Sequence, residues 1–284
     1  MTVDVTRPWG LRDRVRTSTG EIAADVFGAG PPVVLVHGTP SWSYLWREIA
    51  APLAEAHTVY LWDLPGYGDS SLADGASASI ALHARTLAEL VAYWELDAPA
   101  LVGHDIGGGA VLRAHLIEKV PASSIAVLDA AVLSPWVTPV VQHMQRHLEV
   151  YRSMPSHVFG EIIAGHVRTA THLELPEPVR AAYLDRFAGR DGQQRWLDHV
   201  AHFSEDDTAD VVGALGEIAV PTHVIWGEHD QWLPRRTATE LAGAIPGARR
   251  TIIPGAGHFL TEDAPAEVAA VLAEWLGSPC PPRQ

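Results

Sequence analysis

Short apolar runs alternate along the first half of the chain with segments in which apolar residues recur at helical spacing. The runs are rich in β-branched side chains and are bounded by glycine and proline, which is typical of buried strands. The pattern predicts strands at 21–27, 33–37, 58–62, 98–102 and 124–128, and helices at 42–54, 79–94 and 110–119. The residues before position 20 predict a lead-in with an edge strand. Strands that alternate with helices indicate an α/β protein with a mostly parallel sheet.

The alternation stops between residues 134 and 213, where the spacing is helical throughout. Strands resume at 222–226 and 250–253, and each is followed by a helix. A helical block inserted between two strands of one sheet predicts a cap over the strand ends. The predicted organisation is therefore a core domain of residues 1–133 and 214–284 with a helical cap of residues 134–213.

Composition narrows the classes of partner. Of the 284 residues, 47% are hydrophobic and 19% are charged, as in ordinary globular proteins. A formal charge of -14 argues against nucleic acid or an anionic membrane as a partner. No apolar run approaches the ~20 residues that span a bilayer, and the first residues lack the apolar core of a signal peptide. The single cysteine, Cys280, excludes an internal disulfide. These features predict a cytoplasmic protein.

The strand at 98–102 ends in the sequence Gly-His-Asp-Ile-Gly, in which Asp105 is the central residue and further glycines open the next helix. This pattern is typical of a nucleophile elbow, a sharp strand-to-helix turn that presents one side chain at its apex. Glycines flank the apex because the strained turn leaves no room for Cβ atoms. The apex is usually serine, whereas here it is Asp105. Taken alone, the pattern also fits an aspartate that caps a helix.

Two later strand ends supply further functional groups. Asp230 follows the strand at 222–226, and His258 follows the strand at 250–253. Because parallel strands end at the same edge of a sheet, we expect these side chains to meet Asp105 there. Asp129, after the strand at 124–128, is the alternative acid, and its side chain could instead cap a helix or a loop.

Residues 21–277 resemble α/β-hydrolases with an aspartate nucleophile, the group that contains soluble epoxide hydrolases and haloalkane dehalogenases. The sequence His-Gly-Thr-Pro at 37–40 is similar to the group's His-Gly-x-Pro loop. Residues 63–71 resemble its Pro-Gly-x-Gly-x-Ser loop, and 257–265 resemble its final segment. The resemblance implies the α/β-hydrolase fold, a mostly parallel central sheet flanked by helices with an inserted helical cap.

An aspartate nucleophile suits attack on a saturated carbon. A serine would form an ether there, whereas a carboxylate forms an ester that water can hydrolyse. The expected roles are attack by Asp105, activation of water by His258 and orientation of the imidazole by Asp230. The backbone N–H groups of Ile106 and Thr39 are expected to form the oxyanion hole.

The leaving group decides between two reactions. Haloalkane dehalogenases carry a tryptophan directly after the nucleophile and fluoroacetate dehalogenases an arginine, but this chain has Ile106. Epoxide hydrolases instead protonate the opening ring with tyrosines of the cap. Tyr183 lies in a segment that resembles the one carrying such a tyrosine in epoxide hydrolases. Tyr151 is the other tyrosine of the predicted cap, and His143 and His147 are alternatives to it. The resemblance therefore favours an epoxide hydrolase that forms a vicinal diol.

Two other functions remain open. The first alternative is a carbon–halogen hydrolase with an atypical halide site. The segment at 41–46 resembles the corresponding segment of dehalogenases, and Trp136 or Trp196 could donate an N–H group to a halide. A non-hydrolytic or ligand-binding protein on the same scaffold is the second.

The expected partners are a small apolar organic substrate and water, and a homodimer is left open. The sequence predicts no metal site and no cofactor, because its histidines lack a ligand cluster and its glycines lack the spacing of a dinucleotide loop. Apart from His258, most of the 15 histidines are expected at the surface. The residues expected to line the substrate pocket are His37, Pro40, Trp42, His104, Trp136, Trp196 and Phe259.

Overall fold

The computed structural model describes residues 9–277, which fold around one sheet of eight strands. The strands are β1 (Asp13–Thr17), β2 (Gly20–Gly28), β3 (Pro32–Val36), β4 (Thr58–Trp62), β5 (Ala100–His104), β6 (Ser124–Leu128), β7 (Thr222–Gly227) and β8 (Arg249–Ile253). Their order across the sheet is β1-β2-β4-β3-β5-β6-β7-β8. The β1–β2 and β2–β4 pairs are antiparallel, and the other pairs are parallel.

Twelve α-helices and three short 3₁₀ turns accompany the sheet in the described part of the chain. The helices are α1 (Arg47–Leu53), α2 (Ile80–Tyr93), α3 (Ile106–Leu116), α4 (Pro139–Arg146), α5 (Leu148–Ser153), α6 (Ser156–Arg168), α7 (Glu177–Leu184), α8 (Gly189–His202), α9 (Asp206–Ala214), α10 (Arg236–Ala244), α11 (Leu260–Asp263) and α12 (Pro265–Gly277). The 3₁₀ turns are Ser43–Trp46, Asp185–Phe187 and Leu215–Glu217.

The predicted strands are all present, and β4 and β6 have the predicted bounds. β1 is the edge strand expected in the lead-in. The helix predicted from residue 79 begins at Ile80, because the Ser79 hydroxyl accepts the Leu82 N–H and caps the helix. The segment at 42–54 is split into a 3₁₀ turn and α1. The hydrophobic pattern was sufficient here because central parallel strands are buried on both faces and read as continuous apolar runs.

The helices α4–α9 lie between β6 and β7, and no strand interrupts them within residues 129–221. α8 packs against α4, α5 and α6. The last inserted helix, α9, packs instead against α2 and α3 beside the sheet, where Asp210 forms a 2.5 Å ion pair with Arg113. The inserted helices are therefore tied to the sheet layer at their C-terminal end. The predicted boundaries of core and cap stay a prediction.

None of the helices within residues 9–277 combines the length and the apolar character that a membrane span requires. Cys280 lies outside the described residues.

Candidate active site

Asp105 lies at the apex of the turn between β5 and α3, with φ 53° and ψ -123°. Residues other than glycine rarely adopt this combination of backbone angles. The flanking glycines permit the turn, because a Cβ atom on Gly103 would lie 2.4 Å from the Gly107 carbonyl oxygen. A Cβ atom on Gly107 would lie 2.3 Å from the carbonyl oxygen of His37. The geometry is that of the nucleophile elbow predicted from the sequence.

The two carboxylate oxygens of Asp105 have different surroundings. Oδ2 accepts a 2.8 Å hydrogen bond from the backbone N–H of Thr39, while Oδ1 lies 3.7 Å from Nε2 of His258. Burial raises the pKa of Asp105 to about 6, although the charge of His258 and the N–H groups of Thr39 and Ile106 act in the opposite direction. The group is therefore mainly ionised at pH 7. The same two N–H groups are in the arrangement that an oxyanion hole requires.

His258 is fully buried, and its Nδ1 lies 2.9 Å from Oδ2 of Asp230. This contact assigns the proton to Nδ1 and leaves the lone pair on Nε2. Nε2 has no protein hydrogen-bond partner among the described residues and is directed towards Asp105. Burial acts to lower the pKa of His258, but the charge and hydrogen bond of Asp230 and the charge of Asp105 outweigh it and raise the pKa. The imidazole is thus placed to accept a proton from a water molecule beside Asp105.

Both predicted acids reach this histidine, but only one bonds to it. Oδ1 of Asp230 accepts the backbone N–H groups of Trp232 at 2.7 Å and Leu233 at 2.9 Å, which leaves Oδ2 for His258. Asp129 lies alongside and is fully buried, and its Oδ1 accepts the Gly227 N–H at 2.8 Å. One oxygen of each acid and one ring nitrogen of His258 lie within 4.8 Å of one another. The geometry fits Asp230 as the acid that orients His258.

Asp105 opens into a cavity between the strand ends and the inserted helices. Its empty space, including the opening to solvent, is about 480 Å³. The lining is mostly apolar and aromatic, and it contains no tyrosine from the described part of the chain. The lining residues are Thr39, Pro40, Asp105, Ile106, Trp136, Val137, Thr138, Val141, His166, Trp196, His199, Val200, Phe203 and Trp232. Of the residues predicted to line a pocket, Pro40, Trp136 and Trp196 are present.

The polar groups of this lining differ in whether they already have a partner. Nε1 of Trp136 donates to the Thr208 hydroxyl at 3.0 Å. Nε1 of Trp196 is buried and has no acceptor among the described residues. The imidazole of His166 stacks on Trp232 with ring centroids 4.3 Å apart. Burial, together with the charge of His258, lowers the pKa of His166 to about 4, so that this ring is neutral at pH 7. Trp196 therefore lines the same cavity as Asp105 and has an N–H group without an acceptor among the described residues.

The two tyrosines predicted to assist the leaving group lie elsewhere. Tyr183 is fully buried, its hydroxyl donates to Glu262, and its ring packs against Phe259 at 5.3 Å between centroids. Tyr151 packs edge-on against His143 and Phe159. The Tyr183 hydroxyl is thus held by a carboxylate, and the residue is absent from the cavity lining.

His143 and His147, the alternatives to those tyrosines, lie beside each other with ring centroids 4.7 Å apart and are also absent from the cavity lining. No tyrosine or histidine that the sequence proposed as a ring-opening acid therefore reaches Asp105 in the described structure.

Two histidines predicted to line the pocket lie beneath it. Nε2 of His37 accepts the backbone N–H of Leu64 at 2.9 Å, and Nε2 of His104 lies 2.9 Å from the carbonyl oxygen of His258. Both rings are fully buried. Burial lowers the pKa of His37 to about 4 and that of His104 well below its ordinary value. They hold the loops of the site as neutral rings and do not contact the cavity.

Trp42 and Phe259 also lie outside the lining. Trp42 donates its Nε1 hydrogen to the carbonyl oxygen of Ala182 at 3.3 Å, and its ring lies against the guanidinium of Arg186. Phe259 is fully buried against the ring of Tyr183. Both join the inserted helices to the core, which the linear sequence could not distinguish from pocket lining.

The expectation that most histidines lie at the surface was wrong. Eight are buried, namely His37, His57, His83, His104, His166, His199, His223 and His258. Two of these, His166 and His199, line the cavity and were missed. A signal for His166 was available, because it follows Phe159 by seven positions and Ile163 by three, on the buried face of α6.

Comparison with known proteins places this architecture in one family. A family model described as alpha/beta hydrolase fold matches residues 31–265. The chain superposes on an alpha/beta hydrolase fold protein from Burkholderia ambifaria with a TM-score of 0.90 and 30% identity, covering 94% of this chain and 98% of that one. Haloalkane dehalogenase 2 of Mycobacterium tuberculosis is 29% identical over 291 residues, which is 92% of this chain and 93% of the relative. Epoxide hydrolase A of the same organism is 28% identical over 315 residues, 94% of each chain. The chain belongs to the α/β-hydrolase fold family.

Proposed function

We propose that this hydrolase acts on a saturated carbon through an ester on Asp105, and that its leaving group is a halide. The observation that carries the proposal is Trp196, which lines the same cavity as Asp105 and whose buried Nε1 hydrogen has no acceptor among the described residues. A halide departs as an anion and gains most from such a donor. The apolar lining favours a small, uncharged organohalide.

The first step is a displacement. Oδ1 of Asp105 is the oxygen left for attack, because Oδ2 accepts the Thr39 N–H. A bond forms between Oδ1 and the substrate carbon as the carbon–halogen bond breaks, and the halide leaves with both electrons of that bond. The Trp196 N–H donates to the halide as its charge develops. The product of this step is an alkyl ester of Asp105.

The second step hydrolyses the ester. Nε2 of His258 takes a proton from water, and the hydroxide adds to Cγ of Asp105. The oxyanion then resides on Oδ2, where the N–H groups of Thr39 and Ile106 stabilise it. Collapse breaks the bond to the alkyl oxygen, which takes the proton back from His258 and leaves as an alcohol. Asp105 remains as a carboxylic acid and loses its proton to solvent.

Epoxide opening is the second candidate, and His166 is the observation that favours it. The cavity contains this imidazole, whose ring nitrogens have no hydrogen-bond partner among the described residues, and its N–H group could donate to the ring oxygen. A neutral imidazole is a weak acid for an alkoxide, however, and no described tyrosine lines the cavity. Similarities of 29% to a dehalogenase and 28% to an epoxide hydrolase do not separate the two reactions.

Trapping of the ester tests the proposal. His258→Gln removes the base and leaves Asp105 able to attack, so the alkyl ester accumulates. We would incubate this variant separately with small haloalkanes and small epoxides and record the intact mass. The expected result is an adduct equal to the haloalkane mass less hydrogen halide, mapped to Asp105, with release of one halide per chain.

The control is the double variant His258→Gln/Asp105→Asn, which should form no adduct. An adduct that carries the whole mass of an epoxide would transfer the assignment to epoxide hydrolysis. If neither panel gives an adduct while the purified variant is folded, the covalent mechanism is wrong, and a ligand-binding role on this scaffold becomes the hypothesis to test.

A further inference from the structure

Asp129 is a buried acid for which the proposed steps have no use. It directly follows β6 with φ 41°, an uncommon value for a residue other than glycine, and its side chain is fully buried. Oδ1 accepts the Gly227 N–H, whereas Oδ2 receives no hydrogen from any described donor. A buried carboxylate oxygen without a donor is costly unless the group is protonated.

The neighbouring acid has a much better supply of donors. Asp230 accepts hydrogen bonds from the backbone of Trp232 and Leu233 and from Nδ1 of His258. Asp129 accepts only the Gly227 N–H among the described donors. Two buried carboxyl groups this close together cannot both ionise at low cost. Of the two acids, Asp230 has the donors that stabilise a carboxylate, and Asp129 has one.

We propose that Asp129 is a positioning residue whose protonated carboxyl group donates a hydrogen bond to Asp230 and thereby holds it against Nδ1 of His258. The inference rests on the proposed function, in which His258 acts as the base. Burial and the charge of Asp230 raise the pKa of Asp129 well above its ordinary value, which agrees with the assignment. The other titratable groups that face this cluster are Asp105 and the neutral rings of His104 and His166.

The hydrogen bond has a chemical consequence. An O–H donor draws negative charge from the Asp230 carboxylate, which makes the imidazolium form of His258 less favourable. His258 then stays neutral, and able to act as a base, to a lower pH. A purely structural Asp129, which only accepts the Gly227 N–H, would leave the titration of His258 unchanged.

Two variants separate these roles. Asp129→Asn keeps an acceptor for Gly227 and an amide N–H for Asp230, whereas Asp129→Leu keeps the branched shape of the side chain and has neither group. The ring-nitrogen NMR signals of His258 in the resting protein report its titration without any substrate. We expect Asp129→Asn to titrate as wild type and Asp129→Leu to raise the pKa of His258 by about one unit. Equal titration curves for Asp129→Leu and wild type would overturn the proposal.

A second measurement covers the case in which Asp129→Leu does not fold. The infrared C=O stretch of a protonated carboxyl group should be present in wild type at pH 7 and absent from Asp129→Asn. If the band is unchanged, or if Asp129→Asn loses the wild-type titration of His258, the proton is not on Asp129 and the proposal fails. Neither readout needs a substrate, so failure to find a haloalkane substrate would refute the proposed function and leave this inference to be judged separately.

Discussion

Trp196→Phe removes one hydrogen-bond donor together with the second ring of the indole. The phenyl ring can keep the edge-on packing of the indole against Phe187, 4.9 Å between centroids, and against His166, 5.9 Å. The lost Nε1 hydrogen has no protein acceptor among the described residues, so no partner is left unsatisfied. The lost ring leaves a small void in the packing, so we expect the free energy of unfolding to fall by about 1 kcal/mol.

The effect on the chemistry should be large. A hydrogen bond to a charged acceptor contributes about 1.5–3 kcal/mol. The halide is charged in the transition state and not in the substrate, so this amount is lost from the barrier. At about 1.4 kcal/mol per factor of ten, alkylation of Asp105 should slow by roughly 10- to 150-fold. The affinity for the free halide product should fall as well.

Rapid-quench mass spectrometry of the alkyl ester in a His258→Gln background measures this step alone. Trp136→Phe is the matched control, because Trp136 lines the same cavity but donates its Nε1 hydrogen to Thr208. That variant should lose about 1 kcal/mol of stability and keep its alkylation rate within a few-fold. If Trp196→Phe alkylates as fast as its parent, or if the two variants slow equally, Trp196 is not the donor and the halide assignment loses its support.

Three further predictions concern charge and packing. Since burial raises the pKa of Asp105 to about 6, the alkylation rate of the wild-type protein should be maximal above that pH and fall about tenfold per pH unit below it. A rate that stays constant down to the pH at which ordinary carboxyl groups titrate would contradict this. Arg47→Met leaves Glu262 buried without its cation, so urea unfolding should show a loss of about 3–5 kcal/mol in the free energy of unfolding. The double variant Arg47→Met/Glu262→Met should partly restore it. An unchanged stability of the single variant would show that the ion pair does not stabilise the fold. Gly107→Ala should lower the free energy of unfolding by about 1–3 kcal/mol, because the added Cβ would lie 2.3 Å from a backbone oxygen. Gly160→Ala has open space in α6 and should raise it by up to about 1 kcal/mol. Thermal unfolding that ranks the two variants the other way would refute this.

The helices inserted between β6 and β7 show where reasoning from the sequence stopped. Tyr183 lies in a helical segment of the predicted type, yet its hydroxyl is held by Glu262, 79 positions later in the chain. Trp136 and Trp196 carry the same N–H donor and cannot be distinguished in the sequence. In the structure, Trp136 donates to Thr208, whereas Trp196 has no acceptor among the described residues. Spacing predicts which face of a helix is buried, but it does not name the partner on the other side.

The meeting of these strand ends was predictable for a physical reason. Parallel strands bring their carboxyl ends to one edge, so residues that follow β5, β7 and β8 must meet there once the strands are recognised. The sequence by itself thus determined the sheet, the elbow at Asp105 and the convergence of Asp230 and His258 upon it. Only the tertiary structure decided which side chains of the inserted helices line the cavity, which N–H group lacks an acceptor among the described residues, and that Asp129 lies near Asp230. Those outcomes depend on hydrogen bonds and burial between segments far apart in the chain, and local patterns contain no information about such pairings.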